Sequence, residues 1–112
     1  TSPYPSLQQI VFSQSMKESL DENVTLVNEN AAAFVQDLKG TAGKAIWLCG
    51  GSVLAAMLYN SDLIDEMIVK LNPVLFGEGI PLFAPSSKVT KLQVLSMRKF
   101  ESGHMIIHYR LR

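Results

Sequence analysis

The run Lys44-Ala45-Ile46-Trp47-Leu48-Cys49-Gly50-Gly51-Ser52 restricts the possible folds more than any other part of the chain. Ala45 to Cys49 is apolar at every position, and a strand without polar alternation needs cover on both faces. Gly50-Gly51 ends that strand, and Ser52 stands where it would cap a short, largely apolar helix over Val53 to Tyr59. Strand, glycine turn and helix in this order form one unit of an open α/β sheet. Such sheets take their ligands at the carboxyl ends of strands.

The flanking segments extend the same pattern. Gln9-Ile10-Val11-Phe12 reads as a strand that ends at Ser13-Gln14-Ser15, and Val24-Thr25-Leu26-Val27 as a second. Asn28 is placed to cap a helix whose apolar residues Ala31, Phe34, Val35 and Leu38 fall on one face. Gly40 stands where a left-handed residue would end it. Asn60-Ser61-Asp62 closes the helix after the glycine pair, and Leu63 to Leu71 forms a further strand. Residues 72–83 are a loop rich in glycine and proline, yet studded with Val74, Leu75, Phe76, Ile80, Leu82 and Phe83. Lys88–Phe100 and His104–Leu111 around Glu101-Ser102-Gly103 form a hairpin. The fold class is α/β, a single domain over residues 1–112 with a mixed, mostly parallel sheet and an antiparallel C-terminal hairpin.

Bulk properties narrow the function. Ten basic residues balance ten acidic ones, so the chain lacks the charge footprint of a nucleic-acid or membrane-surface binder. The apolar stretch from Ala45 to Tyr59 is shorter than the ~20 residues of a membrane span and is interrupted by glycine. Thr1-Ser2-Pro3-Tyr4-Pro5 has neither the basic start nor the apolar run of a secretory leader. One cysteine builds no disulfide framework, and the expected setting is cytoplasmic.

The Gly50-Gly51-Ser52 turn is the best candidate site. Glycine lets a ligand approach the backbone, and the first N–H groups of a helix attract an anion such as a pyrophosphate. By itself a Gly-Gly turn is more often structural. Cys49, at the end of an apolar strand with no nearby histidine, reads as a buried structural thiol. Trp47 reads as core. His104 and His108 would share a face of the last strand without completing a metal set. Asp21-Glu22 and Asp65-Glu66 are adjacent pairs that would point to opposite faces, and neither is an acid/base couple.

Four segments occur together in a characteristic order: Ile10-Val11-Phe12-Ser13, Gly43 to Ser52, Leu63-Ile64-Asp65-Glu66, and Asn72-Pro73-Val74-Leu75-Phe76-Gly77-Glu78-Gly79-Ile80-Pro81-Leu82-Phe83. They resemble the dihydrofolate-reductase-like reductases, especially the C-terminal reductase domain of the riboflavin-biosynthesis deaminase/reductase. The resemblance spans roughly residues 9 to 110 and implies a three-layer sandwich. It implies NADPH as cofactor and a small heterocyclic substrate, pterin- or pyrimidine-like, reduced at C=N or C=O. It further implies a homodimer, to which Asp65-Glu66 and the 72–83 loop would contribute. Gly50-Gly51 would be the glycine pair, often cis, that lies against the cofactor pyrophosphate. Ser52, Val53 and Leu54 would open the phosphate-facing helix, Cys49 would lie near the nicotinamide, and Ser13 would meet the adenosine 2′-phosphate or ribose.

Two departures qualify that implication. Gln14 stands where close relatives have Arg, so the bidentate charged fork is lost and Lys17 is the nearby cation. The parts of the family domain with most of the substrate pocket would lie upstream of Thr1, and the chain alone is expected to be inactive. A non-enzymatic nucleotide-binding or dimerisation module of the same fold is the competing expectation.

Overall fold

A computed structural model describes Tyr4, residues 6–16, Glu18, residues 22–86 and residues 88–112. Lys17 and Asp21 lie outside the described residues. The chain divides into two compact units, Thr1–Ala45 and Ile46–Arg112.

In the first unit, β1 (Gln9–Phe12) pairs in parallel with β2 (Val24–Val27), Ile10 opposite Thr25 and Phe12 opposite Val27. Helix α1 (Ala31–Lys39) buries Ala31 and Val35, while its Phe34 meets Phe12 edge-on at 6.0 Å. The cap before α1 is Asn30, in the left-handed region at φ 52°, and not Asn28. Asparagine is one of the few residues that adopt this conformation routinely. Gly40 is right-handed at φ −77°, contrary to the expected left-handed stop. The last carbonyls of α1 are met instead by a tight turn, Gly40 N–H to Asp37 O and Thr41 N–H to Leu38 O, and by the Thr41 hydroxyl.

The second unit holds α2 (Ser52–Asn60) and an antiparallel sheet of order β3-β5-β4, with β3 Glu66–Leu71, β4 Gln93–Lys99 and β5 Met105–Arg110. The C-terminal hairpin forms as expected. Gly103, at φ 92°, makes its turn while Phe100 N–H reaches His104 O. A register shift between Val94 and Ser96 lets β4 follow β5. Among the described residues parallel pairing is confined to β1–β2, so the mostly parallel sheet is corrected to one parallel pair and one antiparallel trio.

The largest correction concerns Lys44–Cys49, which belongs to no strand. Composition gives a segment the tendency to extend, but a strand exists only where a neighbouring ladder takes its N–H and C=O groups. The described ladders involve β1 to β5 alone. Ile46 is 51% exposed and Trp47 69%, so Trp47 is not the core residue its neighbours suggested.

Helix α2 is better defined. Ala55, Ala56 and Leu58 are its buried face. Its first residue is Ser52, with Gly51 at the cap position, one residue before the expected cap. At its other end Leu63 N–H bonds Leu58 O and Asp62 N–H bonds Tyr59 O, with Asp62 left-handed at φ 59°. This is the Schellman arrangement, with aspartate in the place usually held by glycine. Asp62 receives the Lys88 ammonium and, at 3.0 Å, Arg112. The Lys88 hydrogen bond, then the charges of Lys88 and Arg112, hold its carboxyl below the ordinary carboxylate range.

Leu58 is the most buried side chain of α2, at 5% exposure, so Leu58→Ala is expected to cost about 2–4 kcal/mol, read as a lower urea midpoint. A depressed carboxyl contributes stability above its unfolded value and loses it as the pH falls through the folded value. Asp62→Asn should therefore lower the melting temperature at neutral pH. That difference should close below the ordinary carboxylate range, and a difference independent of pH would refute the ion-pair account.

Candidate functional site

The peptide joining Gly50 to Gly51 is cis, as the resemblance implied. Gly50 has φ +120°, a conformation in which other residues are strained. Gly51 differs: at φ −94° and ψ −162° its backbone suits any L residue, and a Cβ there would meet no protein atom within 4 Å. Among the described residues, no atom beyond its two chain neighbours would crowd a side chain at 51. The space beside it is open, and its backbone is accessible to whatever approaches the start of α2.

That start is rich in donors. Gly51 caps α2 without a side-chain hydrogen bond, and its carbonyl accepts from Ala55 N–H. The N–H groups of Ser52, Val53 and Leu54 therefore precede the first intrahelical bond. They carry the positive end of the helix dipole, which suits an anion. Val53 is exposed and Leu54 half-buried, so the first turn presents an apolar rim beside its donors. Ser52 also uses its carbonyl, which accepts from Ala84 N–H at 3.0 Å.

Cys49 is a free, exposed thiol adjoining the glycine pair, and the buried structural reading is corrected. The reason is the one that removed the strand: without a ladder across Lys44–Cys49, no layer closes over it. Cys49 through Leu54 thus form one continuous stretch of the second unit. Ser13 and Gln14 belong to the first unit, at the carboxyl end of β1. Ser13 N–H bonds Val27 O at 3.0 Å, and its hydroxyl accepts from Met16 N–H at 3.2 Å. Gln14 is exposed.

Among the described residues no three His, Cys, Asp or Glu side chains come together to hold a metal, and no helix is long and apolar enough to cross a membrane. The histidines have local partners. His104 precedes β5, stacks on Phe100 at 4.4 Å and bonds Ser102, so it does not share the strand with His108. His108 is 2.7 Å from Glu66. Sequence reasoning missed this pair because only the β3–β5 register, Ile68 opposite His108, brings residue 66 within reach of residue 108.

Residues 6–106 match the RibD C-terminal domain family. The chain belongs to that family. It is 38% identical over 107 residues to YwjB of Bacillus subtilis (strain 168), covering 96% of this chain and 61% of that protein. It is 36% identical over 104 residues to YyaP of the same organism, covering 93% of this chain and 55% of that protein. The chain thus spans only 55–61% of the length of these two relatives. A crystal structure from Shewanella sp. PV-4 with a riboflavin-biosynthesis assignment superposes with a TM-score of 0.77 at 24% identity, over 92% of this chain and 59% of that one. That likeness establishes a shared mixed α/β fold.

An exposed thiol reacts without prior unfolding. Ellman's reagent should titrate one thiol per chain in the native protein, at a rate that denaturant raises by less than about tenfold. A thiol silent until urea is added would contradict the exposed Cys49.

Proposed function

We propose that this chain is part of an NADPH-dependent reductase of riboflavin-type biosynthesis, with the three-layer dihydrofolate-reductase-like sandwich as its complete architecture. The observation that carries the reading is Gly51. Space beside this position is open among the described residues, and a glycine stands there beside three helix-start donors in a member of the RibD C-terminal family. A ligand that lies against the backbone explains that choice.

The residues fit a dinucleotide. Ser52, Val53 and Leu54 N–H groups would receive the pyrophosphate, with the helix dipole favouring its charge. Cys49, next in sequence to the glycine pair, would border the nicotinamide, and its exposure leaves it available for that contact. Ser13 and Gln14 are the proposed contacts of the adenosine 2′-phosphate; Gln14 supplies hydrogen bonds without charge, which reduces the preference for NADPH over NADH. The bound cofactor supplies the hydride for a C=N or C=O bond of a pterin- or pyrimidine-like substrate, and the protein supplies orientation.

A homodimer belongs to the same proposal. Leu75, Phe76 and Ile80 are 100%, 85% and 92% exposed, a concentration of apolar surface that marks an interaction site. This loop also favours a second reading, a dimerisation module that keeps the fold and a nucleotide site without the reaction.

Trp47, the only tryptophan, is exposed close in sequence to the glycine pair and reports on binding there. NADPH should quench its emission saturably, NADH more weakly. Gly51→Val should weaken NADPH by at least about tenfold, or 1.4 kcal/mol, with an unchanged far-ultraviolet spectrum. Equal affinity in that variant would remove Gly51 from the site. Absence of binding by both nucleotides would overturn the reading for this chain.

A further inference from the structure

Helix α2 is tied at both ends to the segment that follows the apolar loop. At its first turn Ser52 O accepts from Ala84 N–H at 3.0 Å. Beyond that, the Phe83 and Tyr59 rings lie 5.6 Å apart, and the Ser86 hydroxyl donates to Asn60 Oδ1 at 2.6 Å. At the last turn Tyr59 Oη is 3.2 Å from Lys88 O and 2.7 Å from Thr90 Oγ1. Lys88 Nζ donates to Tyr59 O at 2.9 Å, lies 4.7 Å from the centre of its ring, and reaches Asp62. At this end Tyr59, Asp62, Lys88, Thr90 and Arg112 line a cavity of about 350 Å³.

The choice of residue at 62 is informative. A left-handed position closing a Schellman turn is least costly for glycine. Aspartate here accepts the conformational cost and provides a carboxylate to Lys88 and Arg112. Lys88 meanwhile places a cation on a terminal helix carbonyl, where the dipole favours it. The carboxylate thus organises the cation that holds the segment down.

We infer that Asp62 and Lys88 form a latch that holds Ala84, Ser86, Lys88 and Thr90 along α2, and so act as positioning residues for the anion-binding first turn at Ser52. The consequence for cofactor binding rests on the function proposed above; the latch itself does not. A change at one end of α2 reaches the other through the helix itself and through the contacts that Ala84, Ser86 and Lys88 make along it. The cavity at the latch is then a place from which nucleotide affinity is adjusted without contact with the nucleotide.

Asp62→Gly separates this role from simple helix capping, because it keeps the left-handed turn and removes only the carboxylate. Amide exchange followed by nuclear magnetic resonance should show the Ala84 N–H exchanging at least about tenfold faster in Asp62→Gly, with Ala55 and the β5 amides within about twofold of the unaltered chain. The NADPH dissociation constant should rise about three- to tenfold, and Lys88→Arg should behave as the unaltered chain does in both measurements. Tyr59→Phe, which removes one hydroxyl, should give the same pattern to a smaller degree and serves if Asp62→Gly folds poorly. An Ala84 amide as protected as before, or exchange raised equally across the β3-β5-β4 sheet, overturns the latch. Faster Ala84 exchange with unchanged NADPH affinity overturns the positioning role. If the unaltered chain binds no nucleotide, the proposed function fails, and the Ala84 amide still decides the latch.

Discussion

Backbone pairing through β5 organises the second unit. Met105–Arg110 bonds β3 on one side and β4 on the other, so six residues supply the ladder for two neighbours. All of these residues but Arg110 are half-buried. The His108–Glu66 pair and the Leu111 N–H to Asp65 O bond follow from the register this strand imposes. The hairpin that delivers β5 is local in sequence, which lowers the entropy of forming it. A side chain added at Gly103 would meet the Pro73 ring at 3.2 Å, so the start of the 72–83 loop passes close to the hairpin turn.

Against that ladder the apolar surface is unevenly placed. Ala55, Ala56 and Leu58 are buried, but Val53 and Met57 of the same helix are exposed, as are Trp47 and much of the 72–83 loop. A helix apolar on most of its circumference is ordinarily covered on every side. The unit therefore holds more apolar surface than its own elements enclose. The proposed second copy is the source of cover that the exposed 72–83 loop suggests.

The two ends of α2 divide its chemistry. At the start, uncapped N–H groups and an open glycine favour an anion; at the end, a carboxylate and two cations close a structural cluster. The dipole favours an anion at the start and the Lys88 and Arg112 cations at the end, and the Asp62 carboxylate is offset there by those two cations. The Lys88 and Arg112 charges are engaged by Asp62 at the negative end, and the positive end is the one the proposed nucleotide would meet.

How much of this was legible in sequence depends on how local the determining forces are. Both helices, β1, β2 and the hairpin followed from apolar spacing and turn residues, because these act within a few neighbours in the chain. The glycine pair with its cis bond was legible as well, through motifs whose order marks the family. The Lys44–Cys49 strand was not settled this way, since a strand is a relation between two segments and its composition names no partner. Asp62 was legible as a helix-closing residue, but its ion pairs were not, since Lys88 and Arg112 are 26 and 50 positions away along the chain. The sequence by itself determined the family, the helix faces and the turn at Gly50-Gly51, all written in short-range spacing. Tertiary structure alone decided which strands are paired, that Cys49 and Trp47 are exposed, and that Asp62 meets Lys88 and Arg112, because pairing and burial are set by neighbours in space.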